Sequence, residues 1–183
     1  RQSIEARFGS WAKNPSTRLD PVPSATQIKK GGVYVADQPQ LTQSSVLIGQ
    51  LGGKANDPEV FALYVMNEAL NNFGGRLFDE VRSRQGLAYS VYALWSPHYD
   101  YPGMFLAGGQ TRSEATVPFI QSVKTELQKL RQATLTAKEL DFAKESILNS
   151  FVFNFVDPAQ TLSRLMRYEY FGYPKDFIFR YQK

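Results

Sequence analysis

The stretch that decides the fold runs Asn71-Asn72-Phe73-Gly74-Gly75-Arg76-Leu77-Phe78-Asp79-Glu80-Val81-Arg82-Ser83-Arg84-Gln85-Gly86-Leu87-Ala88-Tyr89-Ser90-Val91. It follows an apolar helical pattern, and Gly74-Gly75 predicts the C-cap of that helix, because glycine adopts the left-handed conformation that closes a helix at no steric cost. A short second helix is predicted from Arg76, with one apolar face formed by Leu77, Phe78 and Val81. Gly86 ends that helix, and from Leu87 the side chains alternate in the period of a strand.

Arg82 and Tyr89 are the candidate functional residues of this stretch. Arg82 falls in the last turn of the predicted second helix, and Tyr89 falls just inside the predicted strand. Helical steps of about 1.5 Å lead from Arg82 to the turn, and strand steps of about 3.3 Å lead back to Tyr89. A sharp reversal at Gly86 would therefore bring the guanidinium and the phenol together, with two hydrogen-bond donors on one side of a turn.

Each of these residues also has a purely structural interpretation. A cation in the last turn of a helix gains a few tenths to about 1 kcal/mol from the helix dipole, which would account for Arg82. Tyrosine is favoured in strands, where it packs on the pleated surface, which would account for Tyr89. Arg84 shares the helix end and is interpreted as a surface residue. The residues alone leave both interpretations open.

The deciding stretch closely resembles the second half of the pitrilysin or insulinase-type zinc metallopeptidases, whose zinc motif is the inverted H-x-x-E-H. The likeness rests on Gly74-Gly75-Arg76-Leu77-Phe78, on Val81-Arg82 and on Gly86-Leu87-Ala88-Tyr89-Ser90-Val91. In that family an arginine and a tyrosine seven residues apart face the zinc across a cleft and help to hold the substrate and the developing oxyanion. The resemblance places Arg82 and Tyr89 at those two positions.

The resemblance extends over nearly the whole chain and divides it into three parts. Residues 1–11, which end in Phe8-Gly9-Ser10-Trp11, look like the end of a preceding peptidase half. Residues 12–27 contain three prolines and several turn formers, which predicts a linker. Residues 28–183 then form the C-terminal-type peptidase domain that carries the Arg/Tyr pair. Residues 176–183 look like an amphipathic helix only just begun, so the domain is expected to be truncated at its C-terminus.

The remaining patterns predict an α+β fold, with a mostly antiparallel sheet and helices packed on one face, as in the peptidase halves that the chain resembles. Outside the deciding stretch, strands are predicted at Val33–Ala36, Ser45–Gly49 and Met104–Ala107. A helix is predicted from Pro58 to about Asn72, capped by Asp57, and another after Ser113. Two further helices are predicted, one with a Thr136/Glu139 capping box and one from Asp157-Pro158 to Tyr170 that is closed at Gly172.

The chain contains one histidine, His98, and no cysteine, so it cannot contain H-x-x-E-H. A zinc site with three protein ligands would need carboxylates for the rest, and His98 is better interpreted as a loop or core residue. Asp79-Glu80 are adjacent at a helix start, where acids are favoured electrostatically and do not face each other, so they receive no catalytic role. No metal or cofactor is predicted in this chain, and the resemblance implies that zinc is bound in the other half.

Composition excludes two classes of partner. The net charge of +4 is modest, and the lysines and arginines are dispersed among acids, which predicts solvated helix faces rather than the basic stripe of a nucleic-acid-binding protein. No run approaches the roughly 20 apolar residues that a membrane span needs. The chain also lacks an initiator methionine, so it is expected to be a piece of a longer protein.

The leading functional hypothesis is the substrate-binding, transition-state-assisting half of a zinc-dependent metalloendopeptidase, inactive alone because the zinc motif lies elsewhere. The resemblance implies a peptide substrate and a zinc-bearing half as partner, in the same polypeptide or as a separate subunit. The alternative is a non-catalytic family member that serves as a partner subunit or assembly scaffold. The bacterial periplasm or cell envelope is the expected compartment.

Overall fold

The computed structural model describes residues 2–12, 14–16 and 22–182. The helices are α1 (Gln2–Phe8), α2 (Val60–Leu70), α3 (Thr116–Gln132), α4 (Ala137–Ser150) and α5 (Pro158–Phe171), and the strands are β1 (Gln43–Leu51), β2 (Ser90–Ser96) and β3 (Met104–Arg112). A π-helix spans Phe78–Arg84, and short 3₁₀ helices span Ser113–Ala115, Phe151–Phe155 and Phe177–Gln182. The predicted α+β class is confirmed.

The three strands form an antiparallel sheet in the order β1-β3-β2. The central strand β3 continues through Gly108-Gly109, so the strand end predicted at these glycines is wrong. A Cβ atom on Gly109 would lie 1.9 Å from the carbonyl oxygen of Ser90, and one on Gly108 would lie 2.0 Å from that of Val46. The two glycines are therefore required inside the strand, because the neighbouring backbones approach too closely for a side chain.

Helices cover one face of the sheet, as predicted. α2 contacts β2, and α3 lies against β3 and β1. The innermost side chains are Leu70, Leu77, Val81, Ala93, Ala107, Phe119 and Val123. On the opposite face Leu47, Leu94 and Met104 remain exposed. Within the described residues, no helix combines the length and apolar character needed to cross a bilayer.

The side chains of Asn67 in α2 and of Asn71 at its C-cap close the outer edge of β2. The Asn71 amide donates to the Ala93 carbonyl at 2.8 Å and accepts the Ala93 N–H at 2.9 Å. The Asn67 amide makes the same two bonds to Trp95, at 2.9 and 2.7 Å. Four helical steps span about 6 Å and two strand steps about 6.6 Å, so the two spacings match. The β2 edge is thereby paired as if by a further strand.

The end of α2 differs from the prediction. The helix ends at Leu70, and the predicted cap at Gly74-Gly75 is wrong. Asn71 is already extended, with φ −107° and ψ −177°, and Asn72 takes the left-handed conformation with φ 63°. Asparagine tolerates that conformation better than other non-glycine residues. The bonds from Asn71 to β2 thus stop the helix before the glycines are reached.

The caps predicted for α4 and α5 agree with the structure, and the cap predicted for α2 does not. Thr136 and Glu139 form the predicted capping box of α4. The Asp157 carboxylate accepts the Ala159 N–H at 2.8 Å at the start of α5, and left-handed Gly172 closes that helix. The cap predicted at Asp57 is wrong, because α2 begins only at Val60 and the Asp57 carboxylate accepts the Lys54 N–H at 2.7 Å instead.

The strand predicted at Val33–Ala36 is wrong for the described structure. Residues 32–36 are not in a strand, and the side chains of Val33, Tyr34 and Val35 are between 84% and 90% exposed. The division into residues 1–11, 12–27 and 28–183 stays a prediction, since Arg1, Lys13, residues 17–21 and Lys183 lie outside the described residues. The predicted start of a helix at Asp176 corresponds to the 3₁₀ helix Phe177–Gln182.

Candidate functional site

A π-helix carries Arg82, where the sequence predicts an ordinary helix. The Gln85 N–H donates to the Glu80 carbonyl at 3.0 Å, which is the i→i+5 spacing of a π-helix. Such turns are rare and are found mostly at functional sites. Leu77 and Val81 are fully buried and anchor this turn on the core. The opposite side of the turn faces solvent and includes Arg82.

The reversal that follows the π-helix is built as the sequence predicts. Gly86 adopts φ 61°, a left-handed conformation that few other residues tolerate. The Leu87 carbonyl accepts the Thr111 hydroxyl at 2.5 Å, and the Tyr89 N–H donates to the Gln110 carbonyl at 3.0 Å. β2 begins one residue after Tyr89 rather than before it. Tyr89 is therefore held by the sheet through its backbone while its ring lies 73% exposed.

Arg82 and Tyr89 lie side by side, which confirms their predicted approach. The guanidinium carbon of Arg82 lies 5.8 Å from the centre of the Tyr89 ring and 4.9 Å from the centre of the Phe78 ring. Both distances fall within the range of about 6 Å for cation–π attraction. The contact of Phe78 with Arg82 was not predicted, since the sequence pattern places Phe78 only on the apolar face of the helix. An aromatic residue four positions before an arginine in a helix was the available signal.

The three arginines of this region use their donors differently. Arg76 forms a two-point ion pair with Glu139, and Arg84 forms an ion pair with Glu80. Within the described residues, no carboxylate or carbonyl accepts a hydrogen bond from Arg82. Arg82 is thus held by two aromatic rings while its N–H groups remain available. This difference separates Arg82 from its neighbours, which the sequence alone did not do.

Glu139 joins the start of this region to α4. Its carboxylate accepts hydrogen bonds from Arg76 Nη2 at 2.9 Å, and from the Thr136 N–H and hydroxyl at 2.8 and 2.7 Å. These bonds, the one from Arg76 first, lower the pKa of Glu139 to about 2, against a partial desolvation that acts in the other direction. The same pairing raises the pKa of Arg76. The ion pair between Arg76 and Glu139 therefore holds the segment just before the π-helix against α4.

We expect Glu139→Gln to destabilise the fold by about 2–3 kcal/mol near neutral pH, because the amide can still cap α4 but loses the charge-assisted bonds to Arg76. The folded pKa of Glu139 lies below its ordinary 4.5, so its stabilising contribution is complete above that value and is lost as pH falls toward 2. Urea unfolding from pH 7 to pH 2 should show a larger loss of stability across this window in the wild type than in Glu139→Gln. An identical acid dependence in both proteins would refute this role.

The other sequence candidates have structural partners. The hydrogen bond from Arg84 is the main cause of a lowered pKa at Glu80, which also accepts a bond from the Gln85 amide at 2.5 Å. His98 lies in the loop between β2 and β3, where its ring stacks on Tyr101 at 4.3 Å. In the part of the chain that the structure describes, no group of three or more His, Cys, Asp or Glu side chains is placed to hold a metal ion. The donor set does not fit zinc.

An open cleft in the described part of the chain is separate from Arg82 and Tyr89. It has a volume of about 700 Å³ and lies between the start of α2, the 3₁₀ helix Phe151–Phe155 and α5. Aromatic rings form much of its wall, and burial raises the pKa of Tyr168 there to about 12. Since the cleft includes neither residue of the Arg/Tyr pair, we do not assign it to the candidate site.

Comparison with known proteins places this geometry in a family. The chain is 27% identical over 165 residues to the uncharacterized zinc protease YmxG of Bacillus subtilis, covering 89% of this chain and 39% of that protein. It is 30% identical over 106 residues to the non-peptidase homolog YmxG of Helicobacter pylori, covering 57% of this chain and 24% of that protein. The chain therefore spans about two fifths or less of the length of these relatives.

A solved structure and a family model agree with these sequence relatives. The crystal structure described as the peptidase M16 inactive domain from Pseudomonas fluorescens superimposes with a TM-score of 0.75 at 27% identity, covering 90% of this chain and 40% of that chain. The family model described as the peptidase M16 inactive domain matches residues 2–147, which include the sheet, the π-helix and the Arg/Tyr pair. The chain belongs to the peptidase M16 inactive domain family.

Proposed function

We propose that this chain is the substrate-binding, transition-state-assisting half of a zinc-dependent metalloendopeptidase and acts through Arg82 and Tyr89. The observation that carries the proposal is the state of Arg82: its guanidinium rests against the rings of Phe78 and Tyr89, and no group in the described residues accepts its hydrogen bonds. A cation held in place with unused donors is suited to bind an oxygen that gains negative charge.

The chemistry assigned to the pair is stabilisation of a peptide carbonyl as it becomes an oxyanion. Donors that are already aimed when charge develops act without further reorganisation, and they usually supply the largest single contribution to catalysis. The planar guanidinium of Arg82 offers several N–H groups in one plane, and the Tyr89 hydroxyl offers a further donor beside it. Phe78 acts as a positioning residue, since it touches the guanidinium and not the peptide.

Zinc has no place in this chain under the proposal. The single histidine and the absence of cysteine leave too few ligands, so zinc and the group that activates water belong to a part of the longer protein outside residues 1–183. The relatives named as zinc proteases are more than twice as long as the stretch they share with this chain, which leaves room for such a half. The partner half is supplied either by the same polypeptide or by another subunit.

The proposal predicts that the isolated chain neither binds stoichiometric zinc nor cleaves peptides, and that the longer protein, alone or together with a zinc-bearing subunit, does both. Elemental analysis after dialysis and hydrolysis of a mixed library of unfolded peptides would measure this. One tightly bound zinc per isolated chain would contradict the proposal. Peptide hydrolysis by the isolated chain in the presence of a chelator would contradict it as well.

The second candidate is a non-catalytic partner subunit or scaffold, and one observation favours it: a relative 30% identical to this chain is named a non-peptidase homolog. The two candidate functions predict different results for the longer protein. An H-x-x-E-H motif outside residues 1–183, with zinc-dependent turnover, supports the peptidase. Peptide binding without turnover by a longer protein that lacks the motif supports the scaffold.

A further inference from the structure

The segment of residues 32–36, Gly-Val-Tyr-Val-Ala, has the composition of a strand but is not part of the sheet. Val33, Tyr34 and Val35 are β-branched or aromatic, and their side chains are between 84% and 90% exposed. Lys29-Lys30 and Asp37 flank the segment with charge, which limits a strand to these few residues. Three large apolar side chains in a row, exposed to this degree, indicate a surface that another element covers.

The two faces of this segment are both apolar. Successive side chains of a strand point to opposite faces, so Val33 and Val35 share one face and Tyr34 takes the other. Strands that are apolar on both faces are normally buried on both. The acceptor must therefore be a sheet edge that is covered on each side, as at an interface between two domains.

One edge of the chain's own sheet is closed to this segment. The Asn67 and Asn71 amides already occupy the N–H and carbonyl groups of Trp95 and Ala93 along the outer edge of β2. A strand that added there would have to displace four hydrogen bonds, of which those at Ala93 are buried.

The other edge, that of β1, is open but does not match the segment. The Leu51 N–H points outward, because it donates to the Gln27 side chain at 2.7 Å, and the alternation of an antiparallel strand then turns the N–H groups of Gly49 and Leu47 outward as well. If the chain continued antiparallel from Gln27 opposite Leu51, Val33 would lie opposite Ser45 and Val35 opposite Gln43.

The same register would also put a charge on the core face. Lys30 would lie opposite Ile48, whose side chain packs against the core cluster. The valines would gain polar neighbours on the exposed face of β1, and a lysine would turn toward the core, so Val33 and Val35 would stay uncovered. A second copy of this chain offers the same two edges: its β2 edge is closed in the same way, and its β1 edge is uncovered on the face that carries exposed Leu47.

We propose that residues 32–36 add as an edge strand to a β-sheet in the partner half, outside residues 1–183, and join the two halves by main-chain hydrogen bonds. The identity of the partner as the zinc-bearing half rests on the proposed function. The strand addition itself does not, because it needs only a sheet edge in the longer protein. The chain covers only 39% of its relative from Bacillus subtilis, so most of that protein's length is available to supply such an edge.

Amide hydrogen exchange of residues 33–36 tests the proposal in the isolated chain and in the longer protein. We expect these amides to exchange almost as fast as an unfolded peptide in the isolated chain, and at least about 100-fold more slowly in the longer protein. Protection in the isolated monomer would assign the segment to its own β1 edge and overturn the proposal. If these amides become protected only at high protein concentration, and the isolated chain then has the mass of a dimer, the segment pairs with a second copy of the chain. That result would also overturn the proposal.

A proline substitution identifies the accepting strand. Tyr34→Pro removes one N–H and blocks ladder pairing, and Ala25→Pro places the same ring in another exposed stretch as a control. In the longer protein, Tyr34→Pro should raise exchange by about 10-fold or more in one strand of the partner half, and Ala25→Pro should not. A rise confined to residues that continue this same domain would overturn the proposal. Exchange that is unchanged everywhere in Tyr34→Pro would overturn the proposal.

Turnover plays no part in these measurements, so they are independent of the proposed function. A longer protein that cleaves nothing can still protect residues 33–36, in which case the peptidase proposal fails and the strand addition stands. An active longer protein in which these amides exchange freely would overturn the strand addition alone.

Discussion

Tyr89→Phe is expected to lower kcat of the longer, zinc-bearing protein by about 10²–10³-fold, or roughly 3–4 kcal/mol, with little change in the free energy of unfolding. The substitution deletes only the hydroxyl. The ring stays beside the Arg82 guanidinium, and the bond from the Tyr89 N–H to Gln110 is a backbone bond that does not depend on the side chain. Because the ring is largely exposed, the hydroxyl contributes little to packing.

The structural interpretation of Tyr89 predicts the opposite pattern. A strand residue that served packing alone would change the melting temperature and leave turnover per folded molecule nearly the same. Single-turnover hydrolysis and thermal unfolding of the same preparations separate the two cases. Tyr101→Phe, in the loop after β2, is a suitable control for loss of a phenol hydroxyl outside the site. Wild-type turnover in Tyr89→Phe would remove this tyrosine from the mechanism.

Asn71→Leu is expected to destabilise the isolated chain by about 3–5 kcal/mol. Leucine has a similar volume but leaves the N–H and carbonyl of Ala93 without partners, and Ala93 is fully buried. A buried polar group that loses its partner costs about 1–3 kcal/mol, and here two are affected. Urea unfolding followed by circular dichroism would measure the change in the free energy of unfolding.

A matched control for this substitution is Asn149→Leu in α4. Asn149 is exposed, so the same exchange of side chains should change stability by less than about 0.5 kcal/mol. If Asn71→Leu were no more destabilising than Asn149→Leu, the asparagines would not be what closes the β2 edge. The proposed strand addition would then lose its reason for excluding that edge.

Local patterns predicted much of this fold because their causes are local. The capping box at Thr136 and Glu139, the left-handed glycine after α5 and the reversal at Gly86 each depend on a few neighbouring residues, and each is found as predicted. The approach of Arg82 to Tyr89 followed from the same reversal. Elements of this kind are determined by backbone conformation over one or two turns.

The features that sequence reasoning missed depend on contacts between distant residues. Asn67 and Asn71 look like poor helix formers in isolation, and only the position of β2 shows why they are there. Gly108-Gly109 suggested a strand end, whereas the reason for both glycines is the closeness of the neighbouring strands. The strand pattern at Val33–Ala36 was recognised, but a pattern does not say which sheet supplies the edge.

In the proposed mechanism Arg82 contributes hydrogen-bond donors to the substrate, and its neighbour Arg84 does not. The most direct measurement compares kcat of Arg82→Lys with that of Arg84→Lys in the longer protein. Both substitutions keep the charge at exposed positions of the same π-helix, but only Arg82→Lys removes a planar guanidinium that no described group engages by hydrogen bonding. We expect a loss of at least about 10²-fold in Arg82→Lys and near wild-type turnover in Arg84→Lys. Equal turnover in the two variants would contradict this mechanism.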